Sequence, residues 1–185
     1  RTTNHAIRTP GNHQKAVDPT DLMTEAEKAV VGIRKQQVDI EENKRAGAAA
    51  TVVVFHHKTL IGAHVGDTRA YLIRAGEIRQ LTVDDSSPSG LTRHLGINSP
   101  VSQFEEEIEP KDILILMSDG AYNAFPDLNH TLLKQANHSK PRDIAQFLVA
   151  HTKYSDDNAS AIVCYANPNP HKDDRVNQGK NGFSR

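Results

Sequence analysis

The run ILILM, residues 113–117, restricts the fold of this chain more than any other stretch. Five consecutive apolar residues have no polar face, so a strand made of them has to be buried on both sides. Pro110-Lys111-Asp112 before the run and Ser118-Asp119-Gly120 after it are typical of turns, which limits the run to strand length. A strand covered on both faces requires a layered fold, with other elements above and below its sheet.

The remaining chain predicts the other layers of an α+β fold. Asp18 before Pro19 predicts the start of a helix that ends near Lys44. Its apolar stripe is predicted to consist of Leu22, Ala26, Ala29, Val30, Ile33 and Ile40. Two further helices are predicted at about 128–136 and 141–151. β-Branched or alternating runs predict a meander of four strands, at 48–55, 59–67, 69–73 and 77–82. Residues 104–108 are predicted to form an edge strand whose outer glutamates are solvated. A last strand is predicted at 160–166.

Length and composition limit the kind of protein. The 185 residues suit one domain at 18–166, with a polar N-terminal segment at 1–17 and a mobile C-terminal tail at 167–185. Lys and Arg number 22 against 23 Asp and Glu, so no field attracts nucleic acid or an anionic membrane. There is no apolar run of membrane-spanning length and no secretory signal pattern at the start. The chain is therefore expected to be soluble. Cys164 is the only cysteine, so no intrachain disulfide can form, which favours a cytoplasmic location. Cys164 itself is predicted to be a small buried hydrophobe.

Two acids stand at the ends of predicted buried strands. Asp119 follows ILILM directly after Ser118, and Gly120 lets the backbone turn sharply there. Asp157, within Asp156-Asp157-Asn158, comes just before the last strand. Carboxylates held on rigid strand ends suit a hard cation such as Mg²⁺ or Mn²⁺ that keeps several waters, and suit zinc less well. Each motif is also compatible with an ordinary turn, and Asp67 is expected to bond backbone amides in a tight hairpin.

Five motifs in series resemble the metal-dependent type 2C protein serine/threonine phosphatases, and among these the compact bacterial members. The motifs are GAAAT at 47–51, AHVGDTRAYLIRAGEIRQLTVDDS at 63–86, LTRHLG at 91–96, DILILMSDG at 112–120 and DDNASAIV at 156–163. The resemblance covers about residues 20–166. It implies two antiparallel β-sheets packed as a sandwich with flanking helices, and a binuclear Mn²⁺ or Mg²⁺ centre at one end. By the resemblance, Asp119 and Asp157 match metal-binding acids of the family, and no protein nucleophile is needed.

The sequence departs from the family in three places. The motif Asp-Gly-x-Gly-Gly, whose aspartate bridges both metals, is absent, and so is the Arg-x-x-Asn-(Glu/Gln)-Asp segment that contributes a phosphate-binding arginine. Asp18 and Asp21 lack the glycines and are not assigned to the site. Only Ser87 to Gly90 separate LTVDDS from LTRHLG, where many members carry a longer flap over the site. The ten histidines match no zinc spacing, so His56, His57, His64 and His94 are expected in turns or on the surface.

These observations leave three functions open. The first is a phosphatase hydrolysing phosphoserine and phosphothreonine in proteins phosphorylated by a partner kinase. Because the chain begins with Arg1, part of its metal site is expected to be missing from these residues, with metal weakly held and turnover poor. The second is a non-catalytic phosphatase-like binding or regulatory module. The third is an unrelated α+β binding domain whose acids only cap turns. A serine hydrolase is disfavoured, because no Gly-x-Ser-x-Gly elbow is present.

Overall fold

The protein is represented by a computed structural model that describes residues 17–152 and 157–166. The predicted N-terminal segment, except for Val17, and the predicted C-terminal tail lie outside the described residues. No helix within the described ranges is both long enough and apolar enough to cross a bilayer.

Two antiparallel sheets and four α-helices make up the described chain. The first sheet has the order β1-β2-β7, and the second has the order β4-β3-β8-β9. The strands of the first sheet are β1 (Ala50–His56), β2 (Thr59–Val65) and β7 (Ser102–Glu107), and those of the second are β3 (Arg69–Arg74), β4 (Glu77–Gln80), β8 (Ile113–Met117) and β9 (Ala161–Tyr165). A short hairpin is formed by β5 (Ser86–Ser87) and β6 (Gly90–Leu91), and the helices are α1 (Pro19–Gln36), α2 (Asp119–Tyr122), α3 (Leu128–His138) and α4 (Pro141–Ala150).

The two sheets pack face to face, which confirms the expected α+β sandwich. Side chains from the two inner faces form one cluster, and alternation along each strand sends the other side chains outward. α1 covers the outer face of the first sheet, while α3 and α4 cover that of the second. The inner cluster contains Val53, Leu60 and Phe104 from the first sheet and Leu114, Leu116 and Cys164 from the second.

The strand ILILM is β8, and it is buried as predicted. Four of its five residues are buried, and it lies between β3 and β9 in the second sheet. Cys164 packs beside it in the inner cluster, and burial raises the pKa of its thiol. The predicted edge position of residues 104–108 is also correct, because β7 ends the first sheet and exposes Glu105 and Glu107.

Helix α1 begins where the sequence predicts but ends eight residues earlier, at Gln36 rather than near Lys44. Asp18 caps it, since its Oδ1 accepts a hydrogen bond from the Thr20 N–H at 2.8 Å. After Gln36 the chain folds back, and the guanidinium of Arg34 donates to the carbonyls of Arg45 and Ala46 at 3.2 and 2.7 Å. The prediction was wrong here because Arg34 binds this returning segment, including the short 3₁₀-helix Glu42–Lys44.

The buried face of α1 is also rotated from the predicted stripe. Met23 is fully buried, and Ala26 and Val30 pack with it against the first sheet. Leu22 and Ile33 were predicted to be buried, but they are 45% and 50% exposed. Both sets of residues have helical spacing, so the sequence pattern could not decide between two neighbouring faces. The contacts with the sheet settle the choice in favour of Met23.

Candidate metal site

Pairing of β8 with β9 brings Asp119 and Asp157 to the same end of the second sheet. The strands are antiparallel and Met117 lies opposite Ala161. The chain that leaves β8 toward Asp119 is therefore next to the chain that arrives from Asp157 and enters β9.

Direct hydrogen bonds hold these two chain segments together beyond the last ladder pair. The Ser118 N–H donates to the Ser160 carbonyl at 3.1 Å, and the Ser160 N–H donates to Ser118 Oγ at 2.9 Å. Ser118 Oγ in turn donates to the Asn158 carbonyl at 3.4 Å. The hydrogen bonds of Ser118 thus fix the distance between the end of β8 and the loop that carries Asp157.

Gly120 allows the closest approach between the two segments. A Cβ added at this position would lie 2.5 Å from the Asn158 carbonyl oxygen and 3.3 Å from the Cβ of Asp157. Backbone at 2.5 Å cannot accommodate a carbon atom, so any other residue would push the Asp157 loop away. The glycine after Asp119 is therefore required by packing against the second acid, in addition to its role in the turn.

Replacing Gly120 by alanine is expected to cost about 1–3 kcal/mol of unfolding free energy, because the new methyl group overpacks this contact. Urea denaturation measures the loss. Gly32→Ala is the matched control, since no atom lies within 4 Å of its added Cβ and it is an interior position of α1. That variant should gain about 0.5–1 kcal/mol. Equal stabilities of the two variants would contradict the packing role of Gly120.

Both carboxylates are oriented by their own local backbone. Asp119 is the first residue of α2, and its Oδ1 accepts a hydrogen bond from the Gly120 N–H at 2.8 Å. Asp157 Oδ1 accepts one from the Asn158 N–H at 2.7 Å. Asp119 is half-buried and Asp157 is exposed, so the pair lies at the protein surface. A cation that approaches this end of the sheet would meet oriented oxygen donors.

A third acid, Asp67, was expected in a tight hairpin, and the hairpin part of that prediction was wrong. Residues 66–68 do not close a hairpin, because β2 and β3 belong to different sheets and the loop crosses between them. The register of Arg69 opposite Met117 puts this crossing at the same end of the second sheet as Asp119. Burial raises the pKa of Asp67, and the charge of Asp119 raises it further. The loop of Asp67 therefore reaches the same end of the second sheet as the predicted site.

Arg69 and Tyr122 support the Asp67 loop. The Tyr122 hydroxyl donates to the Asp67 carbonyl at 3.1 Å, and the guanidinium carbon of Arg69 lies 3.7 Å from the centroid of the Tyr122 ring. Arg69 also pairs with Asp84, with Nε and Nη2 at 3.0 and 2.7 Å from Oδ2. Burial raises the pKa of the Tyr122 phenol to about 12, so this hydroxyl remains a donor at neutral pH.

His64 was expected in a turn or on the surface, but this prediction was wrong. The residue is fully buried within β2. Its Nε2 lies 3.1 Å from the Val83 carbonyl, which only accepts, so Nε2 carries the proton. Nδ1 then accepts from Thr51 Oγ1 at 2.9 Å, and Thr51 accepts from Thr68 Oγ1 at 2.7 Å. This chain of hydrogen bonds reaches the loop of Asp67 and requires a neutral imidazole. The other histidines fit the expectation better, since His56 and His57 form an edge contact at a turn.

The buried imidazole predicts a stability that falls in mild acid. Burial lowers the pKa of His64 below 6.5, although the charge of Asp85 partly opposes this. Between the lowered value and about 6.5 the unfolded chain binds a proton that the folded chain does not, so the unfolding free energy decreases as pH falls through this window, by at most about 1.4 kcal/mol per pH unit.

Urea denaturation across this pH range tests the expectation. His64→Gln should lose this part of the slope, whereas the exposed control His130→Gln should keep it. Identical slopes for the wild-type protein and His64→Gln would contradict the account.

The donor set suits one hard cation better than the binuclear centre that the family resemblance implies. Asp119 and Asp157 offer oxygen ligands at one sheet end, and one or two carboxylates with waters are a usual environment for Mg²⁺. Within residues 17–152 and 157–166, however, no group of three His, Cys, Asp or Glu is close enough to hold a metal ion. Within the described residues, Asp119 and Asp157 thus remain the predicted donors, and a binuclear centre would need ligands beyond these two.

Comparison with known proteins agrees with this architecture. The family model described as Protein phosphatase 2C matches residues 7–89. None of the curated proteins compared with the chain matches it significantly. The matched residues include the Asp67 loop but end before Asp119 and Asp157.

Solved phosphatase structures share the fold. PppA of Pseudomonas aeruginosa, a key regulatory component of T6SS, aligns with a TM-score of 0.68 at 22% identity, over 78% of this chain and 67% of the PppA chain. The catalytic domain of the phosphatase PstP in complex with two manganese ions aligns with a TM-score of 0.69 at 23% identity, over 82% of this chain and 73% of the PstP chain. Stp1 of Staphylococcus aureus aligns with a TM-score of 0.65 at 21% identity, over 88% of this chain and 72% of the Stp1 chain. The chain thus has the fold of bacterial type 2C phosphatases and resembles the Protein phosphatase 2C family in sequence over residues 7–89.

Proposed function

We propose that this chain supplies part of a metal-dependent site that hydrolyses phosphoserine and phosphothreonine in proteins. The observation that carries the proposal is the contact between the Asp119 and Asp157 segments at one end of the second sheet. Two oriented carboxylates at this sheet end would favour a divalent cation there. The resemblance to the Protein phosphatase 2C family supports the substrate class.

The residues of the site have two roles, binding the cation and positioning the loops around it. Asp119 and Asp157 would hold the cation, and Gly120 allows their segments to approach. Arg69 and Tyr122 hold the Asp67 loop beside them. When bound, Mn²⁺ or Mg²⁺ supplies an activated water and neutralises charge on the phosphoryl oxygens. No side chain in this set has to act as a nucleophile.

The physiological setting is part of the same proposal. The substrate would be a protein phosphorylated by a serine/threonine kinase, so the phosphatase would reverse a signalling modification. The near-zero net charge gives no support to a nucleic-acid partner. The single cysteine supports a cytoplasmic location.

A non-catalytic binding or regulatory module is the alternative, and one observation favours it. The sequence lacks the Asp-Gly-x-Gly-Gly motif whose aspartate bridges two metals in the family. A chain with the sandwich but an incomplete ligand set could still recognise a phosphoprotein without hydrolysing the ester.

Hydrolysis of p-nitrophenyl phosphate and of a phosphothreonine peptide distinguishes the two. The phosphatase proposal predicts slow hydrolysis that Mn²⁺ stimulates and EDTA abolishes. Hydrolysis unaffected by either reagent would reject a metal-dependent site. Binding of the phosphopeptide in Mn²⁺ without any turnover would instead establish the regulatory module.

A further inference from the structure

His64 lies where the first sheet contacts two segments outside the sheets. One is the crossing loop, residues 66–68, which connects β2 to β3, and the other follows β4. His64 Nε2 donates to the Val83 carbonyl of the second segment at 3.1 Å. Its Nδ1 is linked to Thr68 of the crossing loop through Thr51 of β1, by hydrogen bonds of 2.9 and 2.7 Å. A single buried side chain thus attaches both segments to the first sheet.

These hydrogen bonds run in one direction and require a neutral imidazole. The Val83 carbonyl can only accept, so Nε2 carries the ring proton and Nδ1 is an acceptor. Thr51 therefore donates to Nδ1 and accepts from Thr68. A second proton would turn Nδ1 into a donor, and both threonine hydroxyl groups would have to reorient. The hydrogen-bond chain thus favours the uncharged form of His64.

Protonated His64 would be a buried charge next to carboxylates that already have partners. Burial lowers the pKa of His64, and the charges of Asp85 and Asp84 oppose this only in part. Asp84 Oδ2 lies 2.7 Å from Arg69 Nη2, and Asp85 Oδ1 lies 2.7 Å from Arg93 Nε. A proton on His64 is therefore costly while no water reaches the ring. The residues opposite His64 on the neighbouring strands are uncharged, namely Thr51 of β1 and Ser102 of β7.

The two segments together form a thin cover over His64. The Asp85 N–H donates to the Gly66 carbonyl at 2.7 Å, and the Gly66 N–H donates to Asp85 Oδ2 at 3.0 Å. We call residues 66–68 and 82–85 the His64 cover. Val83, whose carbonyl binds His64, is 77% exposed, so one layer of chain separates the ring from solvent. Moving the cover outward would bring water to the ring without breaking the ladder of either sheet.

We propose that His64 is an acid sensor, whose protonation opens the His64 cover and releases the crossing loop that carries Asp67. At neutral pH the uncharged ring holds both segments of the cover. In mild acid the open form binds the proton more tightly, because water then reaches the ring. The crossing loop lies at the same end of the second sheet as Asp119, so this end would become more mobile in acid. The inference depends neither on a bound metal nor on phosphatase activity.

Amide hydrogen exchange of the metal-free protein across neutral and mildly acidic pH tests the proposal. Gly66 and Asp85 are the reporters, because their N–H groups join the two segments of the cover. Their protection factors, which correct for the direct effect of pH on exchange, should fall by up to about tenfold per pH unit below about 6.5. The amide of Ile115, in the central strand β8, should stay more protected, because it exchanges only when the whole fold opens.

Two variants assign the effect to His64. His64→Gln should keep the protection factors of both reporters constant with pH, because glutamine offers a donor and an acceptor but does not titrate. This variant retains Asp85, so a fall caused by protonation of that carboxylate would persist in it. The matched control is His130→Gln, which removes an exposed histidine and should behave like the wild-type protein.

Nitrogen-15 NMR of the imidazole rings provides a second measurement that needs no variant. The His64 ring should carry its proton on Nε2 at neutral pH and should titrate over the same pH range in which the reporters lose protection. Protection that does not change with pH in the wild-type protein, or that falls equally in His64→Gln, would overturn the proposal. Exchange of Gly66 and Asp85 at the rate of Ile115 would overturn it as well, since the opening would then not be local.

Discussion

Asp119→Asn should abolish Mn²⁺-stimulated phosphate ester hydrolysis while leaving the fold intact. The change removes a charged ligand, and a loss of more than about 100-fold is expected because even indirect support of a metal ligand is worth about 10–100-fold. Asn keeps an oxygen that can accept the hydrogen bond from the Gly120 N–H. Hydrolysis of p-nitrophenyl phosphate with and without Mn²⁺ measures the effect.

The same variant should be slightly more stable than the wild-type protein when no metal is present. The charge of Asp119 raises the pKa of Asp67, so the two carboxylates repel each other in the metal-free protein. Removing one charge relieves this repulsion. Asp39→Asn is the matched control, because it makes the same change on an exposed turn. If Asp119→Asn kept full metal-stimulated activity, like Asp39→Asn, the assignment of Asp119 would be wrong.

Asp85→Ala should destabilise the fold by about 2–4 kcal/mol. Asp85 is 4% exposed, and its Oδ2 accepts a hydrogen bond from the Gly66 N–H at 3.0 Å. Its Oδ1 accepts one from Arg93 Nε at 2.7 Å. The variant would leave a buried N–H without this acceptor, directly before Asp67, and would leave Arg93 without its carboxylate partner. The half-exposed guanidinium can reach water, which keeps the expected loss below that of a fully buried pair.

Urea denaturation of two further variants separates the causes of this loss. Asp85→Asn keeps an acceptor for Gly66 but removes the charge, so it should lose less than Asp85→Ala. Glu25→Ala breaks the exposed ion pair with Lys28, whose nitrogen and oxygen are 2.7 Å apart, and should change the unfolding free energy by less than about 1 kcal/mol. If Asp85→Ala lost no more unfolding free energy than Glu25→Ala, the role of Asp85 as a buried acceptor for Gly66 and Arg93 would be contradicted.

The layers of the fold were predictable from local patterns. Five apolar residues in β8 required burial on both faces, and Asp18 with Pro19 marked the start of α1. The positions of Asp119 and Asp157 after one strand and before another followed from the same patterns. The local patterns did not predict that Asp119 and Asp157 lie close together. That depends on the pairing of β8 with β9, and β8 could have paired with another strand instead.

Features set by long-range contacts were missed for that reason. Asp67 was expected in a hairpin because nothing local shows that β2 and β3 belong to different sheets. The end of α1 is decided by Arg34, whose guanidinium binds carbonyls about ten residues further along. His64 looks like an isolated polar residue in the sequence. Its burial is explained only by Thr51 and Val83, which come from other segments.

A double-mutant cycle of Mn²⁺ binding, followed by electron paramagnetic resonance of the free ion, tests the central claim that Asp119 and Asp157 share one cation. The proteins are the wild type, Asp119→Asn, Asp157→Asn and the double variant. A shared ion predicts that each single change weakens binding at least about tenfold and that the double variant is little worse than the weaker single variant. Wild-type affinity in either single variant, or losses that simply add, would contradict the claim.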